Sequence, residues 1–208
     1  MSHTKNTGVI VWLIIYFNTF IWSAIEPMDY LTWFLEVLPA IIALFALAYT
    51  YHPFRLTTLS YVLILFHCVI LMIGAHYTYA EVPLFDSIAH LLDLKRNNYD
   101  KLGHLAQGFV PAIIARELLI RLSVFKNQQW MNFFILSFCL GFSAFYELIE
   151  WAVALISGEA ADAFLGTQGD NWDTQSDMAM ALIGAIAALV SLKKIHDKQL
   201  NKLPRPVQ

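Results

Sequence analysis

The sequence predicts an all-α membrane protein: a bundle of six transmembrane helices with both termini in the cytoplasm. Three observations carry this. Of 208 residues, 58% are apolar or aromatic, only 14% are charged, and mean hydropathy is +0.56. A soluble domain is typically about half apolar and about a quarter charged. The apolar residues fall into six windows close to the ~20 residues a span requires, near 8–25, 31–50, 56–75, 103–122, 131–156 and 177–192. Finally, the basic residues divide by side. Lys5, Arg55, Arg116, Arg121, Lys126, Lys193, Lys194, Lys198, Lys202 and Arg205 fall on one side of those windows, and only Lys95, Arg96 and Lys101 on the other. Basic residues mark the cytoplasmic face, which sets the orientation.

The elements follow in order. The first window is longer than the roughly 7–15 residues of a signal-peptide core, and Ser23-Ala24-Ile25 makes a poor cleavage site, so it is read as a retained span. Span two carries Glu36 in its outer half and Pro39. Span three carries His67 at mid-depth and ends outward at His76. The outer loop 76–101 holds Phe85, Ile88, Ala89 and Leu92 at helical spacing, which predicts a short interfacial helix around 82–94. Span four opens with Asp100 and His104 and contains Pro111; Arg116-Glu117 lies at its inner end. Span five carries Glu147 and Glu150 in its outer half. The second outer loop, 157–176, has no basic residue, and Thr174-Gln175-Ser176-Asp177 reads as a capping box opening span six. Gly184, Ala185, Ala187 and Ala188 favour close packing of that last helix. Residues 1–193 are expected to form one domain, and 194–208 a solvated basic tail.

Several function classes lose support at once. Cys68 and Cys139 both sit in apolar runs, which excludes a disulfide scaffold or a cysteine-based zinc cluster. With 13 basic against 16 acidic residues there is no surplus to neutralise phosphates, so nucleic acid is disfavoured as a partner. No phosphate-binding loop, nucleophile elbow or His-Glu-x-x-His occurs. Asn18 and His67 are expected to hydrogen-bond between helices.

The acids are informative because they take little part in the orientation rule. All but Glu117 and Asp197 fall on the outer side, Glu159 and Asp162 included. Asp100 and His104 share a helix face at i, i+4, and Glu147 and Glu150 share one at i, i+3. Asp170, Asp173 and Asp177 lead into span six at spacings of three and four. Ionisable groups within hydrocarbon cost about 2.5–3.5 kcal/mol each at mid-depth, so several on separate helices are expected to face one another around a cation or a proton.

The sequence therefore predicts an outward-opening polar cavity. Asp100, His104, Glu147, Glu150, Asp173 and Asp177 are candidate ligands for a divalent metal (Mg, Mn or Zn), with Glu147 and Asp173 as candidate catalytic carboxylates. The oxygen-rich set points to Mg or Mn with a phosphate-bearing substrate. Arg96, His76 and Asp170 are candidate substrate-binding residues, Arg96 as a clamp on a lipid or envelope phosphate, with Lys101 beside it as a second base open to that phosphate. Two other readings stay open: a proton- or cation-coupled transporter using the same acids, and a structural polar network. The bilayer is the expected partner; the sequence does not set the oligomeric state.

Three stretches carry a resemblance. Arg96-Asn97-Asn98-Tyr99-Asp100-Lys101-Leu102-Gly103-His104, then Tyr146-Glu147-Leu148-Ile149-Glu150-Trp151, then the run from Gly166 through Asn171-Trp172-Asp173 to Met178 resemble the YjdF-type family of bacterial inner-membrane proteins. The likeness implies a multi-pass protein of the bacterial inner membrane and no defined activity. A fainter likeness to VanZ-like membrane proteins rests on Asp100, Lys101, His104, Glu147, Asp177 and Gly184; it hints at cell-envelope biology, again without a defined reaction.

Overall fold

The computed structural model describes residues 3–157 and 167–203. Glu159, Asp162, Gly166 and Arg205 lie outside the described residues. Every regular element among those described is helical: α1 (His3–Ser23), α2 (Tyr30–Thr50), α3 (Thr58–Tyr77), a 3-10 turn (Tyr79–Glu81), α4 (Pro83–Leu91), α5 (Tyr99–Arg121), α6 (Gln128–Ser157), α7 (Asp173–Ser191) and α8 (Lys193–Leu200). By length and composition α2, α3, α6 and α7 can cross a membrane, and the apolar part of α1, Thr7–Ser23, is shorter. With 23 residues α5 has the length, but Asp100, Lys101, His104, Gln107, Arg116 and Glu117 dilute its apolar character.

The helix starts follow from local chemistry. Asp29 caps α2 by accepting from the Thr32 backbone N–H at 2.7 Å. Thr57 caps α3 through a 3.2 Å bond from the Ser60 N–H. α4 is the short helix expected around 82–94, and it opens on Pro83, whose missing N–H costs nothing at a first helical position. The capping box expected at Thr174 does not form. Instead α7 begins two residues earlier, at Asp173, with Trp172 rather than Thr174 in the N-cap position and no side-chain cap. Asp170 holds the turn before it, accepting from the Trp172 N–H at 2.9 Å.

At the centre stands α5, packed on α3, α6 and α7. One apolar core joins Tyr16, Val37, Ala40, Cys68, Met72 and Val110 from α1, α2, α3 and α5. Another joins Ile113, Ile135, Cys139, Ala185 and Ala188 from α5, α6 and α7. Both cysteines are buried thiols. The α5–α7 approach depends on two glycines: a Cβ at Gly108 would overlap the Ala181 carbonyl, and one at Gly184 would overlap that of Leu105. Because α5 lies this close to α7, the polar N-terminal turns of both helices sit side by side.

The expected solvated tail is corrected in part. Its first residues form α8, and His196 is completely buried while Lys193, Lys194 and Lys198 remain exposed. His67 and Asn18 also differ from expectation: His67 faces a cavity, and Asn18 lies exposed on α1.

Candidate metal centre

The polar end of α5 assembles the site. Asp100 and His104 lie one turn apart, with Asp100 Oδ1 at 3.5 Å from His104 Nε2. From α6, Glu147 Oε1 comes to 3.6 Å from the same nitrogen. α7 contributes Asp177, so that ligand-capable atoms of Asp100, His104 and Asp177 lie within 4.8 Å of one another, and all three residues are buried.

The other ring nitrogen sets the chemistry. His104 Nδ1 lies 3.1 Å from Gln107 Oε1, an atom that only accepts, so Nδ1 carries the hydrogen in this pair. In the neutral ring Nε2 is then a lone pair, and it faces two carboxylate oxygens that are also acceptors. Glu147 Oε1 is buried and has no hydrogen-bond partner among the described residues. Acceptors facing acceptors repel unless a cation or a proton lies between them. Ligands held at about 2.0–2.2 Å around a tetrahedral ion stand about 3.3–3.6 Å apart, which is the spacing of Asp100 and Glu147 from His104.

The neighbouring cations are already engaged. Lys101 Nζ donates to Asp173 Oδ1 and Asp177 Oδ1, both at 2.7 Å, and to Ser176 Oγ at 2.6 Å. Arg96 donates to Asp173 Oδ1 at 2.5 Å and reaches Asp170 Oδ2 at 3.4 Å. Asp173 therefore sits between two bases, and Arg96 spans from the loop before α5 to the turn before α7.

That loop is fastened by a second set of bonds. The Asn97 N–H donates to Gln168 Oε1 and Gln168 Nε2 returns a bond to the Asn97 carbonyl, both at 2.9 Å. Asn97 Nδ2 donates to Asp86 Oδ1 at 2.7 Å and to the Val82 carbonyl at 3.0 Å, tying α4 to the same point. The turn at Gln168-Gly169 takes left-handed φ values of 47° and 81°, the second of which suits glycine.

His76 is not brought to the cluster. Its Nδ1 lies 3.2 Å from the Ser23 carbonyl and its ring packs 4.5 Å from that of Trp22, so it joins α3 to α1. Glu150 and Glu36 do approach: both are buried, and with Asp100 and His104 they line a cavity of about 450 Å³ between α2, α3, α5 and α6. Tyr79 lines it too, and its buried hydroxyl has no hydrogen-bond partner among the described residues.

The opposite end of α5 carries a different polar centre, with every acceptor satisfied. Glu117, wholly buried, accepts from the Thr57 N–H and Thr57 Oγ1 at 2.8 Å, Ser60 Oγ at 2.7 Å and Arg121 at 3.2 Å. His196 Nε2 lies 3.3 Å from Glu117 Oε2, while Arg116 donates to His196 Nδ1 at 3.0 Å and to Asp197 at 2.6 Å. This network binds α8 and the start of α3 to α5.

Sequence reasoning missed Gln107, Tyr79 and the Asn97–Gln168 pair, and it took Lys101 for a base open to a ligand. A signal existed for most of them: Asn97, Lys101 and Gln168 all lie inside the motif stretches, whereas Gln107 shows only in its i, i+3 spacing from His104.

Comparison with known proteins places the chain among membrane proteins. Residues 8–198 match a family described as predicted membrane protein, DUF2238. The inner membrane protein YjdF of Escherichia coli (strain K12) is 48% identical over 182 residues, covering 88% of this chain and 87% of that protein. No solved structure matches.

Proposed function

We propose, from the premise that this chain belongs to the DUF2238 family of membrane proteins, that it is a metal-dependent enzyme acting on a lipid or envelope phosphate. The location is that of its relative, a bacterial inner membrane. Six spans, α1–α3 and α5–α7, then cross as one domain with both termini cytoplasmic. In support, the Glu117 network gathers Arg116 and Arg121 at one end of the bundle, and the acid cluster lies at the other.

The observation that carries the reading is His104 Nε2 facing Asp100 and Glu147 at ligand-edge distances, with Glu147 Oε1 otherwise unpartnered. Asp100, His104, Asp177 and Glu147 hold the ion. An imidazole among the ligands turns the balance from Mg towards Mn or Zn. Such an ion would supply Lewis-acid polarisation of a phosphoryl oxygen and a water acidic enough to attack phosphorus. Glu150, buried beside Asp100 and His104, would take the proton of the attacking water and return it to the alkoxide oxygen that leaves as the ester P–O bond breaks. Arg96 and Asp170, taken in the sequence as substrate contacts, and Asp173 fasten the loop that closes the site.

Elemental analysis of detergent-purified protein tests the metal. About one divalent ion per chain is expected, lost in Asp100→Asn and in His104→Gln. No ion above background after incubation with Mn, Zn and Mg sinks the reading. His67, lining the cavity at mid-length of α3, favours a second one, in which the acids and His67 relay protons or cations. That reading expects flux in proteoliposomes without a stoichiometric metal.

A further inference from the structure

We infer that the cavity holds one acyl chain of a bilayer phospholipid, entered sideways between α2 and α6, with the phosphate head at the acid cluster. The head-group half rests on the metal reading above; the chain half stands without it.

The cavity has two unlike ends. Glu36, Tyr79, Asp100, His104, Tyr146 and Glu150 line one, while the rest, apart from Thr50, His67 and Gln107, is bounded by apolar groups such as Leu47, Val110, Ile114 and Leu118. A polar head joined to a long apolar body is the shape of an amphiphile. The dimensions agree with a single chain. Glu36 to Thr50 on α2, and His104 to Leu118 on α5, each cover about 21 Å at about 1.5 Å per residue. One leaflet's chains occupy about 15 Å, half of a ~30 Å hydrocarbon core, and the remainder accommodates a head group. The whole volume, polar end included, is about 450 Å³, space for about fifteen water-sized groups at roughly 30 Å³ each, which suits one chain rather than a pair.

Access is lateral. α2 packs mainly on α3, and α6 on α5 and α7, while residues of both α2 and α6 line the cavity, so entry from the bilayer is placed between these two helices. Both intrahelical prolines, Pro39 and Pro111, line the cavity. Pro111 leaves the Gln107 carbonyl without its helical donor, one turn from His104. No lysine or arginine lines the cavity among the described residues, so an anionic head needs the bound cation to approach the acids.

The test uses purified full-length protein in nanodiscs with phosphatidic acid carrying a photoactivatable group either at the chain end or beside the head. Chain-end probes are expected to mark cavity-facing positions near Leu47 and Leu118, and head-side probes those near Glu36 and His104. Ala46→Trp, placed in the apolar part, should lower the internal labelling at least tenfold and keep the metal. Glu147→Gln should lose the metal and keep the chain-end labelling. Labelling confined to outward-facing residues such as Phe45, Tyr49 and Phe66, equal for both probes and unchanged by Ala46→Trp, overturns the chain assignment. Metal without internal labelling leaves the enzyme reading standing and removes only this inference.

Discussion

His104 and Gln107 form a single 3.1 Å contact that decides which imidazole nitrogen meets the acids. Gln107 fixes the hydrogen on Nδ1, and the lone pair is thereby aimed at Asp100, Glu147 and the ion they are proposed to hold. Partners of this kind are worth about 10–100-fold in metal affinity. Gln107→Leu is therefore expected to weaken Zn or Mn binding by that range while leaving the helix intact, read by competition with a chelating dye. Unchanged affinity would mean that the tautomer is set elsewhere.

Glu117 has the opposite design, a buried carboxylate with every acceptor used. Breaking a buried ionic network by removing one member typically costs about 3–5 kcal/mol. Glu117→Gln should lower thermal stability in detergent by an amount in that range and loosen α8, seen as faster hydrogen exchange around His196. The metal content should not change, because the two centres lie at opposite ends of α5.

The glycines separate steric need from mere occurrence. At Gly108 a Cβ meets backbone, which cannot rotate away, while at Gly141 on α6 nothing lies within 4 Å. Gly108→Ala is expected to cost at least about 1–3 kcal/mol through overpacking and to part α5 from α7. Gly141→Ala should be neutral or gain up to about 1 kcal/mol from helix propensity. Melting curves of the two variants measured side by side check both.

Asp29, exposed in the turn between α1 and α2, carries a pH-dependent share of stability. The Thr32 backbone N–H holds its carboxyl below the ordinary value of 3.8. A depressed pKa means the contribution is present above the unfolded value and fades as pH falls through the folded one. Asp29→Ala should cost about 1 kcal/mol at neutral pH, and Asp29→Asn should keep most of the cap. The difference between wild type and Asp29→Ala should shrink below about pH 4 as the carboxyl protonates; a constant difference down to pH 2 would show that charge plays no part.

By itself, the sequence determined the helical class, the place of each apolar segment and the short helix at Pro83–Leu91. These follow from periodicity and composition, which act within a few turns of chain. It also pointed to Asp100, His104, Glu147 and Asp177 as one group, since acids on apolar helices must find one another. Only the tertiary structure decided how those groups are divided. Lys101 and Arg96 look open to a ligand in the sequence, but Asp173 from a helix some seventy positions away takes both. His76 turns to α1, and His196 leaves the expected tail for the bundle interior. The pairing of a charge depends on which backbone can approach it. Here Gly108 and Gly184 set that approach, and nothing local to Lys101 reports where α7 will lie.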